Sequence, residues 1–231
     1  MHASPPVNAV RPRSLAPRAN TASPDPVADD SLGQAMGLMG ATITYARNSE
    51  IFGENEPAEY LYKVVSGSVR TYKILNDGRR QVGGFHLVGD IFGLEFADEH
   101  SLSAEAITDC KILVVKRSAL NALAGRDASV ARQLLTLTGC ELRRVQNRIL
   151  LLIKNAQERV AGFLLEMARR DSPSDVIELP MSRQDIADYL GLTVETVSRT
   201  LTSLECVAAI EVTTSRRIVL RNRSALSHLN G

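Results

Sequence analysis

Residues 181–205 read Met-Ser-Arg-Gln-Asp-Ile-Ala-Asp-Tyr-Leu-Gly-Leu-Thr-Val-Glu-Thr-Val-Ser-Arg-Thr-Leu-Thr-Ser-Leu-Glu. Four of them, Val194, Glu195, Ser198 and Arg199, could read the edges of bases. An arginine can donate two hydrogen bonds to guanine O6 and N7, a glutamate can accept from the cytosine amino group, and an apolar side chain can pack on a thymine methyl. At about 100° per residue the four positions share one arc of about 140° on a helix. The opposite face carries Val197, Leu201 and Leu204, which a core would claim. Ser182, Gln184, Thr193 and Arg216 are the residues expected to hold phosphates.

The chemistry needs a scaffold, and the same stretch encodes one. Ser182 with Asp185 three residues on is a capping box for a first helix, on which Ile186 and Leu190 share a face. Ala187 is small enough for a second helix to cross closely. Gly191 can take the left-handed conformation that ends the first helix, and Thr193 can cap the second. A helix, a glycine-containing turn and a second capped helix form a helix-turn-helix. Beyond it, Ile210-Glu-Val212 and Arg217-Ile-Val-Leu220 flank Thr213–Arg216 and predict a hairpin, the wing of a winged helix. Arg216, Arg217, Arg221 and Arg223 face one acid in this stretch, Glu211, which predicts a local positive field.

Upstream, Leu135, Thr138, Leu142, Val145, Ile149, Leu152 and Ala156 recur in steps of three and four. This narrow apolar stripe predicts a coiled-coil seam on a helix from about Ser129 to Asn155. Arg143, Arg144 and Arg148 crowd beside the stripe, which favours a second copy of the chain over the chain's own core. Two short helical segments are expected between Ser118 and this helix. Another helix is expected over about 156–169, then a loop from Asp171 and a short strand at Val176–Leu179. Before all of these, short β-type runs at Tyr60–Val65, Val69–Leu75, Gln81–Phe85 and Lys111–Val115 are punctuated by Ser66-Gly67, Asn76-Asp77-Gly78 and Gly89-Asp90. That pattern predicts a small antiparallel sandwich or roll.

Whole-chain properties exclude more than they select. The 231 residues carry 27 Lys plus Arg against 26 Asp plus Glu, so total charge does not advertise nucleic acid. Three separated cysteines, Cys110, Cys140 and Cys206, form no metal or disulfide pattern. Cys206 is expected to be a buried small apolar residue, with a redox role as its alternative. His86 and His100 are expected to be hydrogen-bonded structural residues rather than haem ligands. No apolar run suits a membrane span or a signal peptide, so a cytoplasmic location is expected. Six of the nine prolines lie in the first 26 residues, which predicts a disordered arm over 1–30.

The helix-turn-helix residues Ser182–Ala187, Gly191 and Glu195–Arg199 resemble those of the cyclic-AMP receptor protein/FNR family of transcription regulators. Gly83–Asp90 and Gly93 resemble the family's sensor roll. The resemblance implies an α+β protein with an N-terminal antiparallel β-roll (a double-stranded β-helix) over 31–126 and a long dimerisation helix over 127–155. A C-terminal winged helix-turn-helix over 156–231 completes it. It implies a homodimer that binds double-stranded DNA at TTGA-type inverted repeats and touches RNA polymerase, with the Ile74–Arg80 hairpin a candidate surface. Cyclic-nucleotide binders carry Gly-Glu followed by Arg-Ser/Thr-Ala, whereas here stand Gly93-Leu94 and His100-Ser-Leu-Ser-Ala104. No cysteine precedes Cys110, so an iron–sulfur cluster of the FNR kind is not expected, and no cofactor is expected at all. What remains resembles the FixK branch, implying an activator of microaerobic, denitrification or nitrogen-fixation genes. A ligand- or redox-gated regulator and a roll-type enzyme are the rival expectations.

Overall fold

The computed structural model describes residues 30–95, 97–150, 153–170 and 175–230. The arm expected over 1–30 lies outside them except for Asp30, as do Leu152 of the expected seam and most of the loop expected from Asp171.

The four β-type runs become β3 (Tyr60–Ser66), β4 (Val69–Ile74), β5 (Arg80–His86) and β8 (Cys110–Lys116). With β1 (Ala41–Tyr45), β2 (Glu50–Phe52), β6 (Ile91–Phe92) and β7 (Ser103–Ala106) they form two four-stranded antiparallel sheets. Their orders are β1-β8-β3-β6 and β2-β7-β4-β5. The sheets enclose one apolar core of Phe52, Tyr62, Val64, Val69, Phe92, Ala104, Ala106, Cys110 and Ile112. This is the expected roll. The β4–β5 hairpin pairs from Val69 opposite His86 to Ile74 opposite Arg80 with a shift of register between Thr71 and Tyr72, and Gly78 turns it at φ 82°. Gly67 is tighter still: at φ 83° an added Cβ would lie 2.4 Å from the Asp109 carbonyl oxygen, so only glycine joins β3 to β4 without displacement.

Both roll histidines are buried, but only His86 is hydrogen-bonded as expected, and through one nitrogen. His100 stacks on Phe52 with ring centroids 3.7 Å apart, and neither of its nitrogens has a hydrogen-bond partner among the described residues. His86 stacks on Phe92 and keeps one contact, Nε2 to the Thr71 hydroxyl at 3.3 Å. Burial depresses the His86 pKa to about 4, against a smaller opposing effect of Asp90.

A helix the sequence reading did not foresee, α1 (Ser31–Met39), packs Leu32, Ala35 and Met36 against Leu61, Val115 and Leu120. One short helix, α2 (Arg117–Ala124), replaces the two expected before the long one. The long helix α3 spans Ala128–Leu150, 23 residues or about 35 Å. Ala156 opens the next helix, α4 (Ala156–Arg170), rather than ending the seam on the long helix. Val130, Leu134 and Leu137 turn α3 toward the roll. The expected stripe faces away: Leu135, Leu142, Val145 and Ile149 are 73%, 59%, 51% and 60% exposed. Thr138 is half-buried, its hydroxyl donating to the Leu134 carbonyl at 3.0 Å.

The C-terminal third has its own core. Val160, Phe163, Leu164 and Met167 of α4 meet the buried faces of α5 (Arg183–Leu190) and α6 (Val194–Cys206). A three-stranded sheet of β9 (Val176–Glu178), β10 (Ile210–Val212) and β11 (Arg217–Leu220), in the order β10-β11-β9, and α7 (Arg223–Asn230) close it. Val82, Phe85 and Ile107 of the roll join this core, so apolar packing is continuous between the two parts.

Candidate nucleic-acid interface

α5 begins at the expected capping box. The Ser182 hydroxyl accepts from Asp185 N–H at 3.1 Å while the Asp185 carboxylate accepts from Ser182 N–H at 2.9 Å. It ends at Gly191, whose φ of 64° is the left-handed cap that glycine adopts at least cost. Arg159 of α4 donates to the Leu190 carbonyl at 3.0 Å, satisfying one of the acceptors the helix end leaves free. α6 starts at Thr193, whose hydroxyl accepts from Thr196 N–H at 3.2 Å. Val197, Leu201 and Leu204 are buried against α4 and α5, as the apolar spacing predicts.

That burial turns the other face outward. Glu195, Ser198 and Arg199 are exposed, and Val194 is half-buried at the helix start. Glu195 and Arg199 form no ion pair or side-chain hydrogen bond among the described residues, which leaves their charges available to a partner. Ser198 donates back to the Val194 carbonyl at 2.8 Å, so what its hydroxyl offers outward is acceptor capacity rather than a proton.

The expected phosphate contacts are more engaged. Ser182 is exposed, but its hydroxyl proton goes to Asp185 at 2.7 Å. Gln184 donates to Asp188 at 2.6 Å. Thr193 shares a hydrogen bond with the Thr196 hydroxyl at 2.9 Å. Arg216 is exposed at the wing tip, and its side chain has no ion pair among the described residues.

The positive field expected over 210–231 is largely cancelled, because Arg217 pairs with Glu178 at 3.4 Å, Arg223 with Asp175 at 2.7 Å, and Arg221 with Glu211. Two of these three acids come from the segment before α5, which a local charge count cannot include. Cys206, expected to be buried, is exposed at the last residue of α6.

The sequence reading also missed a cavity of about 210 Å³ between the roll, α3, α4 and α5. Gly93, Leu94 and Leu102 line its roll side, and Arg144, Arg148 and Arg170 bring cations from the helices. Each is already engaged: Arg144 with Glu141 and Asp90, Arg170 with Asp90, and Arg148 with the Gly83 and Val82 carbonyls. Arg148 also lies over the Tyr189 ring, 5.2 Å from its centroid. Burial raises the Tyr189 pKa to about 12, so its phenol stays protonated.

Residues 158–229 match the Crp-like helix-turn-helix domain, and residues 42–127 match the cyclic nucleotide-binding domain. The chain is 50% identical over 211 residues to the nitrogen fixation regulation protein FixK of Azorhizobium caulinodans, covering 88% of this chain and 85% of that one. The chain belongs to the CRP/FNR family, on its FixK branch. The solved structure of FixK2 from Bradyrhizobium japonicum superposes with a TM-score of 0.81 at 52% identity, covering 84% of this chain and 98% of that one. The fumarate and nitrate reduction regulatory protein of Escherichia coli K12 is 33% identical over 193 residues, 80% of this chain and 76% of its own. As a member of this family the chain is a transcription regulator with a DNA-binding helix-turn-helix, not an enzyme, which removes the roll-type enzyme from consideration. Among the described residues no helix is long and apolar enough to cross a membrane.

Proposed function

We propose that this FixK-branch regulator acts as a homodimeric activator of microaerobic, denitrification or nitrogen-fixation genes. In this reading it is cytoplasmic, binds TTGA-type inverted repeats and touches RNA polymerase. The observation that carries the reading is the outward arc of α6, where Glu195 and Arg199 stand exposed and, among the described residues, unpartnered on a helix whose other face is buried. Arg199 donates to a guanine and Glu195 accepts from a cytosine, Val194 and Ser198 refine the choice, and Ser182, Gln184, Thr193 and Arg216 meet phosphates. A second copy of the chain covers the apolar stripe of α3, and two-fold symmetry then sets the reading helices about 34 Å apart. The exposed tip of the β4–β5 hairpin, with Ile74 and Leu75 uncovered, is the surface offered to polymerase.

Cyclic nucleotide is not required in this reading. The roll side of the cavity offers Leu94 and Leu102 where a cyclic phosphate needs a cation, and the cavity's arginines are already engaged. A redox-gated variant of the same function is favoured by one observation, the exposed Cys206 thiol at the end of the reading helix.

Titration of the purified chain against a TTGAT-N4-ATCAA duplex and a scrambled duplex tests both, with and without cyclic AMP and with and without reductant. Selective binding without additives is expected. A requirement for nucleotide would overturn the ligand-free reading, and loss on oxidation that Cys206→Ser prevents would establish the redox variant.

A further inference from the structure

Asp185 does more than start α5. One carboxylate oxygen accepts from Ser182 N–H and from the Ser182 hydroxyl at 2.9 and 2.7 Å. The other accepts from two guanidinium groups of the roll, Arg70 of β4 at 2.9 Å and Arg80 of β5 at 2.7 Å. Its side chain is only 3% exposed. Arg80 also reaches Asp188, Nε to Oδ2 at 2.9 Å, and lies over the Tyr72 ring. Next to it, Gln81 donates to the Asp188 carbonyl at 2.7 Å. Arg70 is held from behind by Glu105 of β7 at 2.7 Å. The hairpin therefore grips the first helix of the helix-turn-helix through residues more than 100 positions away in sequence.

A buried ion network of this kind adds little net stability, because desolvating the charges offsets their attraction. What it adds is geometry. A guanidinium is a planar fork that accepts only certain approaches of a carboxylate, so a two-carboxylate grip defines an orientation better than apolar contact does. α5 and α6 share the buried residues Ile186, Ala187, Leu190, Val197 and Leu201, so an orientation imposed on α5 is passed to α6. The roll already shares apolar packing with this domain through Val82 and Phe85, and the ion pairs add a directional hold that such packing lacks.

We propose that Arg70, Arg80, Asp185 and Asp188 are positioning residues of DNA recognition, a clamp by which the roll fixes the angle at which its own reading helix is presented. The proposal rests on the two-fold reading of the site, because angle matters most where two helices must enter the groove at a set separation.

The test uses the full chain and three variants: Arg80→Ala, Arg80→Lys and Asp188→Asn. Each is titrated against TTGAT-N4-ATCAA, against the same repeat with the spacer one base pair shorter or longer, and against a single half-site. The wild type is expected to prefer the N4 spacer by about tenfold or more. Arg80→Ala and Asp188→Asn are expected to reduce that preference to about twofold or less with half-site affinity unchanged, and Arg80→Ala also to lower the melting temperature, because it leaves the buried Asp185 short of a cation. Arg80→Lys, which keeps the charge but not the fork, is expected to fall between. Retention of the full spacing preference by both disruptive variants would overturn the clamp, as would a loss of half-site affinity equal to the loss of preference. A wild type indifferent to spacing would overturn the two-fold reading itself, and the clamp with it.

Discussion

Arg199 and Glu195 sit one helical turn apart on the outward face of α6, and each has a charge that nothing among the described residues neutralises. Arg199→Ala is expected to cost about 1–3 kcal/mol of binding to a TTGA repeat and to relax the preference at one base pair. Competition titrations against single-base variants of the half-site measure this, and an equal loss on random DNA would contradict a base-reading role. A second residue-scale expectation concerns His86. Its folded-state pKa of about 4 lies below the ordinary histidine value, so the unfolded chain takes up the proton first as pH falls. The stability held by the neutral imidazole is intact above about pH 6.5 and is lost as pH drops toward 4, roughly 2 kcal/mol of it between pH 7 and 5. Urea unfolding at the two pH values should show this loss, and His86→Leu should lack it; an unchanged pH dependence in the variant would contradict the account. Base-reading candidates were legible in the sequence because helical spacing assigns them a face. Cys206 was not, because its exposure depends on where α6 stops relative to the wing.

At the scale of elements, the helix-turn-helix was the most legible part of the chain. Capping box, positive-φ glycine and apolar spacing are local signals, and all three agree between Ser182 and Leu204. The strands were legible where they are long and β-branched, as in β3, β4 and β8. In the roll, β6 and β7 were missed, because β6 is two residues long and β7 is built from Ser, Ala and Glu. The Arg70–Asp185–Arg80 clamp left no trace in local pattern, since its partners meet only after the roll and the C-terminal domain have packed. The stripe of α3 was legible as a periodicity, and the structure leaves it uncovered. Leu142→Lys places a charge in its centre at an already exposed position. It is expected to leave the melting temperature of the chain nearly unchanged while sedimentation shifts from two copies to one and binding to the repeat falls toward that of a half-site. A variant that still sediments as a pair would contradict the seam.

The whole molecule has almost no net charge to draw it toward DNA, and its wing arginines are mostly spent on Glu178, Asp175 and Glu211. Recognition in this account therefore depends less on a broad positive surface than on two small arcs of side chains delivered together. In the proposed arrangement the apolar stripe would join two copies, the roll clamp would set each reading helix, and the symmetry of the pair would select an inverted repeat. The most direct measurement is the mass of the complex on a TTGAT-N4-ATCAA duplex, taken by sedimentation together with a footprint of both strands. The account predicts two chains per duplex with protection related by two-fold symmetry about the spacer. One chain per duplex, or protection of a single half-site, would contradict it.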